Sequence, residues 1–302
     1  MPELPDIAIY IEALEARIVG QRLERIQLLD PFVLRSVDPP VSAALGKRVL
    51  ALRRIGKRIV LELEGELFAV LHLMVAGRLL WVAPGAKVPA RRRLAVFEFS
   101  SGQLVLTEAG TRRRASLHMV HGEANLKRLD PGGLDVLQAD LAAFSTRLTA
   151  DNHTLKRALT DPHILSGIGN AYSDEILHAA RMSPFALTSS LSDADFDRLL
   201  AAARTTLLGW TDRIRAEAGD QFPEKVTAFR EGMAVHGRYR KPCPVCGSPV
   251  QRVRYAENEM NYCAVCQTGG KVLADRSLSR LLKDDWPRSL DAWEERIGGR
   301  VD

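Results

Sequence analysis

Apolar residues near the start of the chain recur at helical spacing. Ile7, Ile11, Leu14 and Ile18 share one face, with Asp6 before them and Gly20 after them. The pattern predicts an amphipathic helix over residues 6–19, capped by Asp6 and stopped by Gly20. From Val49 to Thr107 the pattern becomes that of strands. Apolar runs at 58–63, 67–73 and 94–99 are separated by Glu64-Gly65-Glu66 and Ser100-Ser101-Gly102, which have the composition of hairpin turns. This half is expected to be an antiparallel sandwich or barrel with one leading helix. A break follows at Leu129-Asp130-Pro131-Gly132-Gly133. Beyond it the period is helical again, at 134–144, 152–159, 170–181 and 192–216. No internal repeat and no long low-complexity tract occurs.

Composition narrows the class. A chain of 302 residues with 46% hydrophobic residues can hold two domains with real cores. No apolar run approaches the roughly 20 residues that span a bilayer. The opening MPELPDIAIY carries acids and two prolines, unlike a secretory signal. The expectation is an intracellular, cytoplasmic chain without a membrane partner. The formal net charge of +5 suits nucleic acid without demanding it.

The four cysteines change the picture more. Cys243 and Cys246 form one C-x2-C pair, Cys263 and Cys266 another, and 16 residues, Gly247 to Tyr262, lie between. Such pairs suit a four-thiolate tetrahedral zinc site, the intervening stretch forming a hairpin. Two disulfides or free thiols are the alternative, and disulfides fit an intracellular chain poorly. Four thiolates leave no position for water, so the expected single zinc ion is structural.

Two short segments carry further chemistry. Leu165-Ser166-Gly167-Ile168-Gly169-Asn170 is a glycine turn opening a helix. Backbone N–H groups at the positive end of a helix suit a phosphate, and Asn170 could cap the helix or donate to that phosphate. The same turn can also be a plain connector. At the N-terminus, removal of Met1 would leave Pro2 with a free secondary amine. An α-amino group with a pKa near 8 is roughly a quarter unprotonated at pH 7.5, far more than a lysine. Glu3 beside it could move protons.

In combination these motifs resemble one family. MPELPD at the start, Gly56-Lys57 before a strand, LSGIGNAYSDEIL in the helical half and the four-cysteine hairpin are similar, in order, to formamidopyrimidine-DNA glycosylase and endonuclease VIII. The resemblance implies an α+β fold with these limits: an N-terminal catalytic β-sandwich over 1–128, a helix–two-turn–helix DNA-binding domain over 129–236, a zinc hairpin over 237–267 and an extension over 268–302. It implies base-excision repair of oxidised or ring-opened bases by a bifunctional glycosylase and abasic-site lyase, acting as a monomer on damaged DNA, duplex or partly single-stranded. Pro2 matches the nucleophile that attacks C1′, and Glu3 the acid/base. Lys57 and Asn170 match phosphate contacts. His72 falls at a phosphate-facing position, and a half-buried strand histidine is an equal alternative.

The departures bear on specificity. Where the family carries an arginine in its zinc hairpin, Asn258 stands, with Arg252 and Arg254 nearby. The loop that wedges into the duplex in the formamidopyrimidine branch corresponds to Glu108–Arg114, which contains no Phe, and the intercalating Met aligns with Val75, next to Met74. Removing an aromatic wedge forfeits stacking, so weak discrimination of the opposite base is expected. Leu278, Leu281 and Leu282 suggest a short helix in the tail, with Trp286 and Trp293 packing on the body. Two alternatives stay open: a damage-binding member with lyase activity but little base excision, and a zinc-ribbon nucleic-acid binder. The second leaves Pro2-Glu3 and the glycine turn unexplained.

Overall fold

Two separate stretches of chain build each of two units in the computed structural model, which describes residues 1–84, 86, 92–109, 112–224, 226–227, 229–255, 258–274, 280–282, 285–287 and 289–298. The first unit is Met1–Gly133 with Leu207–Ala228; the second is Leu134–Thr206 with Phe229–Asp302.

The first unit opens with helix α1 (Leu4–Ile18). Among the described residues eight strands follow: β1 (Arg25–Leu28), β2 (Val49–Ile55), β3 (Arg58–Leu63), β4 (Leu67–His72), β5 (Gly77–Val82), β6 (Arg93–Phe99), β7 (Gly102–Glu108) and β8 (Ser116–His121), and then the short helix α2 (Glu123–Lys127). They form two four-stranded sheets, ordered β1-β6-β7-β5 and β2-β3-β4-β8. Every pairing is antiparallel. Two separate sheets make this a sandwich rather than a barrel.

Between the sheets, Ile59, Leu61, Leu71 and Leu117 meet Leu79, Phe97, Leu104 and Leu106, and Ile7, Tyr10, Leu14 and Ile18 of α1 join them. The opposite face of the second sheet is also covered: Val60, Phe68, Val70 and Val120 pack with Leu126 of α2. Burial on both faces explains why these strands are continuous apolar runs rather than alternating ones. Helix α1 starts two residues earlier than its hydrophobic period suggested. Glu3 is the cap residue, and Asp6 sits in the first turn, its carboxylate accepting the Glu3 N–H at 2.9 Å. Asp6 therefore does its capping from inside the helix.

The second unit contains α3 (Leu141–Thr149), α4 (Leu155–Thr160), α5 (Asn170–Ala179) and most of α6 (Asp193–Ala218), whose residues from Leu207 onward belong to the first unit. The predicted helix over 134–144 begins only at Leu141. Asp135 accepts the Leu137 N–H at 3.0 Å and makes a turn instead, and Asp140 caps α3 through the Ala143 N–H at 2.7 Å. Strands β9 (Gln251–Tyr255) and β10 (Asn258–Tyr262) form an antiparallel hairpin, followed by α7 (Ala264–Thr268). The tail carries a helix, α8 (Leu290–Gly298), that the sequence reading did not anticipate. Leu290 packs with Val253, Met260 and Tyr262 of the hairpin, and the rings of Trp286 and Trp293 lie 5.4 Å apart. Leu278 lies outside the described residues. Among the described residues no helix is long and apolar enough to cross a membrane.

Candidate functional site

In the first unit the chain terminus is built into the fold. Pro2 is buried and Glu3 is only 3% exposed. Both are held at the head of α1, whose apolar face is locked into the sandwich core. Burial lowers the amino group of Met1 below the ordinary α-amino range; Glu3 and Asp6 oppose the shift, while Arg78 and Lys57 reinforce it. The same cause lowers Lys57, with Glu3 opposing it. The terminal amine, Glu3, Lys57 and Arg78 are thus electrostatic neighbours.

Lys57 owes its position to a two-residue turn between β2 and β3. Gly56 takes φ +58°, a conformation that disfavours a Cβ, and Lys57 follows it. Arg78 is a residue that the sequence reading missed. Its guanidinium is tied to the carbonyls of Val226 at 2.6 Å and Gly77 at 2.7 Å, so the cation is fixed. No local motif announces it, since one of its partners lies almost 150 residues away.

His72 ends β4, opposite Arg58 in β3 and Ser116 in β8. Burial pushes its pKa down to about 4, and the charges of Arg58, Lys57 and His118 push the same way. The ring is neutral at physiological pH and offers a hydrogen bond rather than a charge. At the β4–β5 turn Val75 is 56% exposed, while Met74 adopts φ +52°.

In the second unit Gly167 takes φ +82° and turns the chain into α5. Gly169, and not Asn170, is the cap residue. Asn170 is the first helical residue, and its Nδ2 donates to the Glu259 carbonyl of β10 at 2.7 Å. Beneath it lies a buried polar network that no motif suggested. Lys156 Nζ donates to the Asn170 carbonyl (2.8 Å), Ser173 Oγ (2.7 Å) and Asp174 Oδ1 (2.5 Å). Asp174 Oδ2 in turn meets His236 Nδ1 at 2.7 Å and the Asn261 N–H at 3.1 Å. Glu175 accepts the N–H groups of Ala234, Val235 and His236. Consecutive acids on α5 therefore fasten both the hairpin and the segment leading into it.

The four cysteine sulfurs converge within 4.8 Å of one another. Cys246 and Cys263 are 3.4 Å apart, Cys243 and Cys266 3.9 Å. A disulfide would need about 2.05 Å. Sulfurs on a tetrahedral ion with bonds of about 2.3 Å sit close to these separations, so the donor set fits a metal ion that takes four thiolates. His178 of α5 places Nε2 3.3 Å from Cys243 Sγ, where an N–H can orient a thiolate. Arg252 and Arg254 both lie against Glu259, at 3.3 and 3.5 Å, and Arg252 also covers the Tyr239 ring at 4.0 Å. The Asn258 side chain lies outside the described residues, as does Thr111 of the arginine loop.

The first unit is thus a sandwich that buries its own terminus, and the second a helical unit that holds a four-thiolate hairpin. Two family models match: the formamidopyrimidine-DNA glycosylase N-terminal domain over residues 1–117 and the formamidopyrimidine-DNA glycosylase H2TH domain over 133–212. The chain is 31% identical to the formamidopyrimidine-DNA glycosylase of Heliobacterium modesticaldum over 281 residues, 88% of this chain and 100% of that one. It is 43% identical over 162 residues, 54% of this chain and 99% of the other, to an uncharacterised formamidopyrimidine-DNA glycosylase-like protein of Mycobacterium tuberculosis. In fold it resembles a MutM complex with DNA containing carbocyclic 8-oxo-G (TM-score 0.78, 22% identity, 88% of this chain and 100% of that one). The enzyme of Lactococcus lactis bound to abasic-site DNA is similar at TM-score 0.76 and 22% identity, covering 88% and 99% of the two chains. The chain belongs to the formamidopyrimidine-DNA glycosylase/endonuclease VIII family of DNA glycosylases for oxidised-base repair.

Proposed function

We propose that the protein excises oxidised or ring-opened bases from DNA and then cleaves the abasic strand, using the amine of Pro2 exposed by removal of Met1. The observation that carries this reading is the terminus itself: Pro2 and Glu3 are buried at the head of α1, Glu3 acts on Lys57, and Arg78 and Lys57 act on the amine of Met1, one residue before Pro2. Burial and neighbouring cations disfavour protonation, so an amine placed there is available as a nucleophile near neutral pH.

The amine attacks C1′ of the damaged nucleoside, the C–N bond to the base breaks, and the resulting iminium acidifies the C2′ proton. Loss of that proton expels the 3′ phosphate by β-elimination, and δ-elimination can follow. Glu3 is the acid/base that moves protons during sugar opening. Lys57 and Asn170 hold phosphates, and neutral His72 donates a hydrogen bond. The four cysteines hold one structural zinc, which keeps the hairpin folded beside α5. The lesion leaves the stack to reach the amine, at a cost of a few kcal/mol.

A second reading, lyase activity with little base excision, is favoured by Arg112–Arg114, where three exposed cations and no ring stand in place of a wedge. Borohydride trapping separates the readings. The mature chain should begin at Pro2 and form a reducible cross-link with abasic DNA and with duplexes carrying an oxidised base. A cross-link to abasic DNA alone supports the second reading. Undiminished trapping after chemical blocking of the N-terminal amine would remove this amine from the mechanism.

A further inference from the structure

Phe32 is 76% exposed on a turn whose backbone is held on both sides. The turn is built to hold it there. Pro31–Val33 is a single 3-10 turn capped by Asp30, whose Oδ1 accepts the Phe32 N–H at 3.0 Å. Asp30 Oδ2 is gripped by Arg113 at 2.5 Å, which ties the turn to the arginine loop and holds the Asp30 carboxyl below its usual range. Val33 is buried in the sandwich core, and Leu34 and Arg35 pair with Leu117 of β8 through a bridge and a 2.9 Å hydrogen bond. The backbone on both sides of Phe32 is fixed, yet its ring is presented to solvent.

The surroundings indicate what would cover it. Leu117 follows Ser116, the register partner of His72, so the turn lies at the His72 end of β4 and β8. Arg35 acts electrostatically on His118, and His118 acts on His72, which also faces Lys57 and Arg58. Cations therefore flank the His72–His118 pair, Lys57 and Arg58 acting on His72 and Arg35 on His118, and Arg112 and Arg114 are exposed in the loop that carries Arg113. A rigid aromatic ring beside a line of cations is the usual means of seating a nucleic-acid strand, the cations following phosphates and the ring stacking on a base.

Resting on the DNA reading above, we infer that Phe32 stacks on a base that the extruded lesion leaves without a neighbour, and so supplies from a different segment the ring that the arginine loop lacks. Asp30 and Arg113 are positioning residues for it.

The test is single-turnover excision on lesion duplexes and on the same lesions in single strands, with 2-aminopurine beside or opposite the lesion as a stacking probe. Phe32→Ala should keep the wild-type melting temperature, because the ring is exposed. It should lose roughly tenfold in rate on duplexes and less on single strands, and 2-aminopurine should brighten more on binding than it does with the wild type. Phe32→Trp should restore both readouts. Phe32→Ala with wild-type duplex rates and wild-type 2-aminopurine signal would overturn the assignment. Failure of the wild type itself to process any lesion duplex would instead count against the functional reading, so the two failures are distinguishable.

Discussion

Replacing Asp174 by alanine removes the centre of the network beneath Asn170. The Lys156 side chain is 5% exposed and that of Asp174 is fully buried, so the pair has little access to water. The substitution strands an ammonium whose remaining partners are Ser173 Oγ and the Asn170 carbonyl. It also leaves His236 Nδ1 and the Asn261 N–H without their acceptor. Breaking a buried ion pair from one side costs about 3–5 kcal/mol, because the surviving charge stays desolvated. That is a large share of the total stability of about 5–15 kcal/mol that domains possess. Urea denaturation should therefore shift to a markedly lower midpoint, and native-state hydrogen exchange should show the α5 amides losing protection first. Lys156→Met combined with Asp174→Ala should recover part of the loss, since no buried charge is then left alone. The reasoning is refuted if the single variant keeps its midpoint and its α5 protection, or if the double variant is no more stable than the single one.

Other expectations follow from the same structure. Cys263→Ser should lose the bound metal, measured by elemental analysis, and bind DNA more weakly, while the sandwich keeps its circular-dichroism signature. Because His72 titrates only near pH 4 in the free protein, a phosphate placed against it should raise that pKa and draw in a proton on binding. Affinity should then strengthen as pH falls from 7 toward 5 and lose that gain as pH rises; His72→Gln should abolish the dependence, and an identical slope in that variant would remove the contact. Lys57→Ala and Asn170→Ala should each weaken binding to many lesions alike, and Lys57→Ala alone, which removes a charge, should also flatten the salt dependence.

The strands and the cysteine cluster were legible because their signals are local. Runs such as Arg58–Leu63 end at turns with their own chemistry, and the thiolate set declares itself by spacing. Helix α1 was found but entered late, since Glu3 and Pro5 lie outside the hydrophobic period that marks its body. The stretch from Leu134 to Asp140 looked helical because its leucines fit the period. Its aspartates compete for backbone N–H groups, and that competition prevails. Arg78, Lys156, Asp174 and His236 were invisible for a different reason: each acquires its meaning from a partner in another segment. The exposure of Phe32 is likewise a property of the folded turn, as nothing in Asp-Pro-Phe-Val says that the ring faces outward.

The first unit closes only when residues 207–228 return to it. Phe222 lies against Tyr10 at 5.6 Å, Arg215 pairs with Glu12 at 2.7 Å, and the Val226 carbonyl receives Arg78. These contacts join residues roughly 150–210 positions apart. During synthesis, the sandwich must wait, with the Tyr10 side of its core incomplete, while the whole first stretch of the second unit is made. Long-range closure of this kind slows folding and lengthens the exposure of apolar surface. A fragment ending at Gly133 should consequently be aggregation-prone, whereas co-expression of a segment spanning 207–228 supplies the missing piece. The order in which the ribosome delivers the chain thus sets when the Pro2 end can acquire its final surroundings.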